Sequence, residues 1–102
     1  MKSNNIYKAK ILNVFGSSSF CLLIDLGFNV FVIQEVELFG VKPLEIDDET
    51  KNSLKNLLIN KEVRIKSYKN EDKYLVEISV EMLGSIINIS SYFSSLGYVK
   101  KI

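Results

Sequence analysis

Short stretches in which apolar and polar residues alternate restrict the fold of this sequence more than any other feature. Residues 6–15 alternate in this way, which is the period of a strand with one solvated face. A glycine and three serines then indicate a turn, and residues 20–25 form a second, continuously apolar strand. A glycine and asparagine turn over residues 26–29 leads into a third strand over 30–39. These segments predict a curved antiparallel meander.

A single helix is predicted after the third strand. Residues 40–46 contain the only proline and have no period, so we expect a loop there. Asp47 or Asp48 can cap the helix that follows, three leucines share one of its faces, and Asn60 can end it. The pattern is therefore typical of a helix packed on the sheet.

Two further strands and a short helix complete the predicted order. Residues 62–66 and 74–81 alternate on either side of a polar turn, and Asn88 can cap a short helix that Gly97 ends. Three strands, a helix, two strands and a short helix form the arrangement of a five-stranded Greek-key OB barrel, mainly β with a helix between strands 3 and 4. The length fits a single domain over residues 1–102.

Composition excludes several classes of function. Thirteen basic and twelve acidic residues give a formal net charge of +1, so the chain as a whole has no strong attraction to nucleic acid or anionic lipid. The absence of histidine removes histidine triads and histidine metal sites. Cys21 is the only cysteine and lies in an apolar run, so we expect it to fill the core.

The sequence also predicts the cellular location of the protein and the kind of partner that it binds. Its first ten residues lack the apolar core of a signal peptide, and no run is long enough to span a bilayer. We therefore expect a cytoplasmic protein without a membrane partner. Because 47% of the residues are hydrophobic, and so small a domain cannot bury them all, we expect a protein partner or self-association.

The segment IDLGFNVFVIQEVELFGV, residues 24–41, resembles the staphylococcal nuclease family, in which an IDLGFG turn precedes a strand that ends in RLxGIDTPE. Nearer the other end, DKY followed by LVEISV and then INISSYFSSLG is similar to the fifth strand and final helix of that family. The resemblance covers nearly the whole chain, from Tyr7 to about Tyr98, and implies the same OB barrel.

Active members of that family hold calcium with carboxylates, clamp phosphate with two arginines and use a glutamate to assist the attacking water. The resemblance assigns Ser17 and Lys42 to the metal-binding aspartate positions and Glu37 to one arginine position. Glu45 alone matches, at the glutamate position, and the turn that carries the other arginine is shortened. The resemblance therefore implies a degenerate site with no catalytic residue, no metal and no cofactor.

Lysines and aromatic residues on neighbouring strands leave another interpretation open. A basic stripe with exposed rings binds single-stranded nucleic acid in other OB barrels, although such lysines more often protect strand edges and such rings more often fill the core. The candidate nucleic-acid or partner-binding residues are Lys8, Lys10, Lys66, Lys69, Lys73, Tyr68 and Tyr74, with Tyr7, Phe15 and Phe31 as further rings.

We therefore expect a catalytically inactive, nuclease-like OB module that acts in protein interaction or assembly. A phage structural or accessory protein, in the host cytoplasm or the virion, fits this pattern. Single-stranded nucleic-acid binding without cleavage is the alternative hypothesis. An active calcium-dependent nuclease with relocated ligands is the third.

Overall fold

The first half of the chain is the predicted antiparallel meander. The structure is a computed structural model that describes residues 6–69 and 74–102. Its first strands are β1 (Ile6–Val14), β2 (Ser19–Gly27) and β3 (Val30–Leu38). Phe28 and Asn29 form the two-residue loop between β2 and β3, with φ angles of 55° and 61°. Two consecutive positive φ angles are the feature of the tight turns that match the twist of a hairpin.

The second half adds two helices and the remaining strands. Asp47 caps the first helix through an Oδ1 atom that accepts from the Thr50 N–H at 2.8 Å, and Asn88 caps the second by accepting from the Ser91 N–H at 3.0 Å. Both predicted helices are therefore confirmed. The elements are β4 (Val41–Pro43), α1 (Asp48–Leu58), β5 (Glu62–Lys69), β6 (Tyr74–Met82), β7 (Ser85–Asn88), α2 (Ile89–Ser95) and β8 (Val99–Lys101).

A short parallel pairing closes the sheet into a barrel. The antiparallel order is β3-β2-β1-β5-β6-β7, and β3 also pairs with β6, where Glu37 lies opposite Leu75 and Leu38 opposite Val76. The circle β1-β2-β3-β6-β5 is a mixed, closed, five-stranded barrel. This confirms the predicted OB-like fold class.

Apolar side chains from every barrel strand and from both helices fill the interior. Phe20 of β2 stacks against Phe93 of α2 with ring centroids 6.3 Å apart, and Leu54 and Leu58 of α1 are buried. Both helices therefore belong to one core with the strands. The longer helix, α1, has 11 residues, and the described part of the chain contains no helix with the length and apolar character of a membrane span.

The structure corrects the sequence prediction in two places. The predicted loop over 40–46 contains β4, which pairs antiparallel with β8 in the tail of the chain. The chain also forms an extra strand, β7, after a two-residue turn at Leu83 and Gly84. Strands of three or four residues are too short to give a period, so alternation did not reveal them. The predicted turn over residues 70–72 lies outside the described residues.

Candidate functional site

Two segments that the resemblance assigns to a nuclease site are held together. The Ser17 hydroxyl donates to the Leu44 carbonyl oxygen at 3.2 Å, and the Leu38 N–H donates to the Ser18 carbonyl oxygen at 2.9 Å. The turn between β1 and β2 is thus fixed against the segment that joins β3 to α1, beside Glu45. The resemblance implies that these two segments lie close together, and the backbone of the structure brings them together.

The side chains at those positions do not provide a metal site. Ser17 is 3% exposed and its hydroxyl bonds a backbone carbonyl. Lys42 is exposed in β4 directly opposite Lys100 of β8, and two facing ammonium groups repel a cation. Glu45 is exposed, and Glu37 lies on β3. In residues 6–69 and 74–102, no three acidic or thiol side chains lie close enough together to hold a metal ion.

Three lysines of the predicted basic stripe lie opposite carboxylates on the outer face of the barrel. Directly opposite residues on paired strands lie within about 5 Å at Cβ, so a carboxylate lies near each of the three, although Lys8 also lies opposite Arg64 of β5. The positive potential of the stripe is therefore reduced. Lys69 ends β5, and Lys73 lies outside the described residues. The opposed pairs are Lys8 with Asp25, Lys10 with Glu62, and Lys66 with Glu77.

Two of the five aromatic candidates are engaged within the protein, whereas Tyr74, Phe31 and Phe15 are exposed. The ring of Tyr68 stacks on Phe39 with centroids 3.9 Å apart, and the Lys66 Nζ lies 5.5 Å from the centre of the Tyr68 ring. These contacts compete with stacking of a base on Tyr68. Tyr7 packs against the core. Tyr74 is 63% exposed at the start of β6 and remains accessible.

A groove of about 740 Å³ crosses the outer face of the six-stranded sheet. Phe31 on the first strand of the sheet order and Ile86 on the last contribute exposed apolar side chains to it. Its charged residues are of both signs in equal number. This mixed lining resembles the surface that meets another protein more than one that follows a phosphate backbone. The charged lining residues are Lys8, Lys10 and Arg64 with Asp25, Glu62 and Glu81.

The end of the β2–β3 hairpin exposes a contiguous set of apolar side chains. We call residues 26–33 the apolar tip. Adjacent strand residues point to opposite faces, so the exposure of both Val32 and Ile33 leaves both faces of the hairpin accessible. The uncharged run FNVFVI is the sequence signal of this surface, although its pattern predicts only the end of a turn and the start of a strand. The exposed side chains are Leu26 (45%), Phe28 (101%), Val30 (50%), Phe31 (53%), Val32 (38%) and Ile33 (66%).

Comparison with known proteins supports the fold. No protein-family model matches the sequence, and no curated protein matches it. Among solved structures, the chain is similar to the extended Tudor domain of human TDRD1, crystallised in complex with a symmetrically dimethylated peptide. The TM-score is 0.55 at 19% sequence identity, over 100% of this chain and 67% of that chain. This similarity shows an OB-like barrel domain, and the narrower resemblance to staphylococcal nuclease stays a prediction.

Proposed function

We propose that this protein is a non-catalytic OB-like barrel domain that binds another protein through the apolar tip. The observation that carries the proposal is the exposure of six apolar side chains on both faces of one hairpin. Removal of apolar surface from water is favourable by roughly 25 cal/mol per Å², so a partner that covers the tip gains binding free energy there. Contiguous exposed apolar surface of this kind is typical of interaction sites.

The electrostatics of the barrel favour a protein over a nucleic acid. Binding to a phosphate backbone depends on cations that replace released counterions, and three of the four described stripe lysines already face carboxylates. Single-stranded nucleic-acid binding remains the alternative because Lys8, Lys10 and Lys66 do share the outer face with Arg64. A salt-dependent affinity for oligonucleotides is the property that this alternative requires.

The peptide complex of the Tudor neighbour also supports a protein ligand. The aromatic pair of this chain does not offer a site for a methylated cation of that kind. Such a cation is held in a cage between aromatic faces, and the Phe39 and Tyr68 rings, with centroids 3.9 Å apart, lie in direct contact. The tip of the β2–β3 hairpin is the surface that we assign to the partner.

We further propose that the barrel is a nuclease-like scaffold without nuclease activity. Ser17 and Lys42 offer no carboxylate for a metal ion, and Glu37 is an anion where the resemblance expects a phosphate-binding arginine. An assembly role, such as that of a phage structural or accessory protein, suits a scaffold of this kind.

Capture experiments test the proposed interaction. The tagged chain is incubated either with extract of its native source or with an untagged copy of itself, and retained proteins are identified by mass spectrometry. We expect the wild type to retain a protein in one arm and the Phe28→Ser variant to lose it. Leu83→Ser is the matched control, because Leu83 is also fully exposed in a two-residue turn with a similar φ of 53°. Equal retention by Phe28→Ser, or no retention by the wild type in either arm, would overturn the proposal.

Activity assays address the alternatives. The purified chain is mixed with DNA and RNA in calcium, magnesium or manganese, and with single-stranded oligonucleotides at low salt. We expect neither cleavage nor binding. Metal-dependent cleavage would refute the non-catalytic assignment, and binding that weakens steeply with salt would favour the nucleic-acid hypothesis.

A further inference from the structure

β3 has one paired edge and one edge that is free along much of its length. It pairs with β2 from Val30 to Glu37. On its other side, pairing with β6 is limited to Glu37 and Leu38. In the described chain, residues 30–35 therefore have no strand on that side, and four of them are the exposed apolar residues at positions 30–33.

Two hydrogen bonds show which backbone groups point to the free edge. The Leu38 N–H donates toward β2, to Ser18 at 2.9 Å, whereas the Phe39 N–H donates toward β6, to Val76 at 2.8 Å. The N–H and C=O groups of successive residues point to alternate sides of a strand. Odd-numbered residues of β3 therefore direct their N–H and C=O groups away from β2, so those of Phe31 and positions 33 and 35 face the free edge.

Within residues 6–69 and 74–102, this edge lacks the usual protection against pairing. Natural proteins shield edges with lysine, proline, bulges or a covering segment. The segment FNVFVIQ, residues 28–34, contains no charge, no proline and no glycine. Its composition has the high β-propensity and low charge that favour strand addition. A defined partner strand on this edge is the arrangement that prevents uncontrolled pairing.

We propose that this partner strand is β3 of a second copy of the chain, paired antiparallel about a two-fold axis at Val32. The inference rests on the proposed function and names the partner. In this register, Phe31 of each copy lies opposite Ile33 of the other, with their edge-facing backbone groups hydrogen-bonded. Val32 lies opposite its own copy at a non-hydrogen-bonded position. One sheet then runs continuously through both barrels.

Charge complementarity supports self-pairing in this register. Glu35 lies opposite Asn29 of the second copy, so no carboxylate meets a carboxylate, whereas a shift of the axis to Glu35 would place two glutamates face to face. On one face Phe31 meets Ile33, and on the other Val32 meets its own copy while Val30 lies opposite Gln34. A two-fold contact requires a surface that complements itself, and the apolar tip has this property.

A second copy presents the same unprotected edge as the first, so in a two-fold pairing each copy covers the free edge of the other. A single added peptide strand would leave its own outer edge unpaired. This difference favours a second copy over an extended peptide.

Disulfide trapping tests the axis directly. In a Cys21→Ser background, Val32→Cys places two thiols on the two-fold axis, where opposed Cα atoms lie about 4.5 Å apart, within disulfide range. Val30→Cys is the matched control on the same face. Its symmetry mates are separated by four residues along the strands, about 13 Å, beyond disulfide reach. We expect a covalent dimer from Val32→Cys and none from Val30→Cys. Equal cross-linking, or cross-linking of the control alone, would overturn the proposed register.

Sedimentation over a concentration series tests the dimer without cross-linking. Ile33→Lys places a lysine on each side of the axis and is expected to raise the dimer dissociation constant at least about 100-fold. Leu83→Lys is the control, since Leu83 is fully exposed, at 105%, in the turn between β6 and β7. Both variants should unfold at the temperature of the monomeric wild type. Loss of the dimer in Leu83→Lys but not in Ile33→Lys would refute the β3 assignment.

The outcomes separate this inference from the proposed function. A wild type that stays monomeric at all concentrations, yet retains an extract protein that Phe28→Ser loses, refutes the second copy and leaves the interaction module standing. A monomer that retains nothing refutes both. A dimer that Val32→Cys traps supports both.

Discussion

The two halves of β3 place apolar residues on the same face of the strand but in opposite surroundings. On the inner face of its second half, Val36 and Leu38 are each 3% exposed, whereas on the same face of its first half Val30 and Val32 are 50% and 38% exposed. Only the second half reaches β6, which closes the barrel. The burial of an apolar strand therefore depends on the strands that pair with it as much as on its own side chains. The closed half supports the fold and the open half is available for a partner.

The largest expected effect contrasts one substitution in each half. Leu38→Ala should lower the free energy of unfolding by about 2–5 kcal/mol, because it leaves a cavity in a packed core. Val30→Ala should change it by no more than about 0.5 kcal/mol, because that side chain is half exposed. Urea denaturation at low protein concentration measures both. Similar losses in the two variants would contradict the contrast between the halves.

The second prediction concerns the turn that is fastened to the closed half. Ser17→Asp should destabilise the fold by roughly 2–3 kcal/mol, because it buries a carboxylate against the Leu44 carbonyl oxygen that Ser17 now bonds. Ser17→Ala, which removes only the hydrogen bond, should cost about 1 kcal/mol. Calcium should not restore the aspartate variant. Thermal unfolding with and without calcium is the measurement, and a calcium-dependent recovery would indicate a surviving metal site.

The third prediction tests whether the open half is kept for binding at a cost in stability. Phe28 is fully exposed with a left-handed φ of 55°, a conformation that disfavours a large L side chain. Phe28→Gly should raise the free energy of unfolding by up to about 1 kcal/mol while it weakens partner retention. Leu83→Gly should give a similar gain in stability without the loss of retention. A parallel loss of retention in both variants would show that the tip is not the binding surface.

The smallest expected effect lies outside β3 and gives a baseline. The hydrogen bonds from Thr50, through its side chain and then its backbone N–H, hold the pKa of Asp47 below its ordinary value of 3.8. The charge of Asp47 thus stabilises the fold at neutral pH, and this contribution disappears as the pH falls through the lowered pKa. Asp47→Asn keeps a cap that does not titrate. The difference in melting temperature between the two proteins should therefore narrow in acid, and a difference that is constant with pH would argue against this cap.

Much of the fold could be predicted because its signals are local. Alternation marked three of the barrel strands, apolar and β-branched runs marked the other two, and the side chains of Asp47 and Asn88 marked the helix starts. The pairing of β4 with β8 brings residues 41–43 beside residues 99–101, and neither strand is long enough to show a period. Nothing local distinguished those segments from loop.

The candidate site was less predictable because it depends on register. The sequence identified Lys8, Lys10 and Lys66 as a possible stripe, but only the pairing of strands brings a carboxylate opposite each of them. In the same way, the run of apolar residues over 30–33 predicts a strand, but only the limited pairing with β6 explains why its side chains are exposed. Register between distant strands is a property of the assembled barrel, and a pattern within one strand does not carry it.

The opposed charges on the outer face have a kinetic consequence. A surface whose positive and negative groups neutralise one another in pairs projects little field beyond a Debye length, so it does not steer an approaching molecule. Partners should therefore meet this domain at the unassisted rate of about 10⁵–10⁶ M⁻¹s⁻¹, with little change when salt is added. Tight complexes would then owe their affinity to slow dissociation, and the lifetime of the bound state becomes the quantity on which the timing of assembly depends.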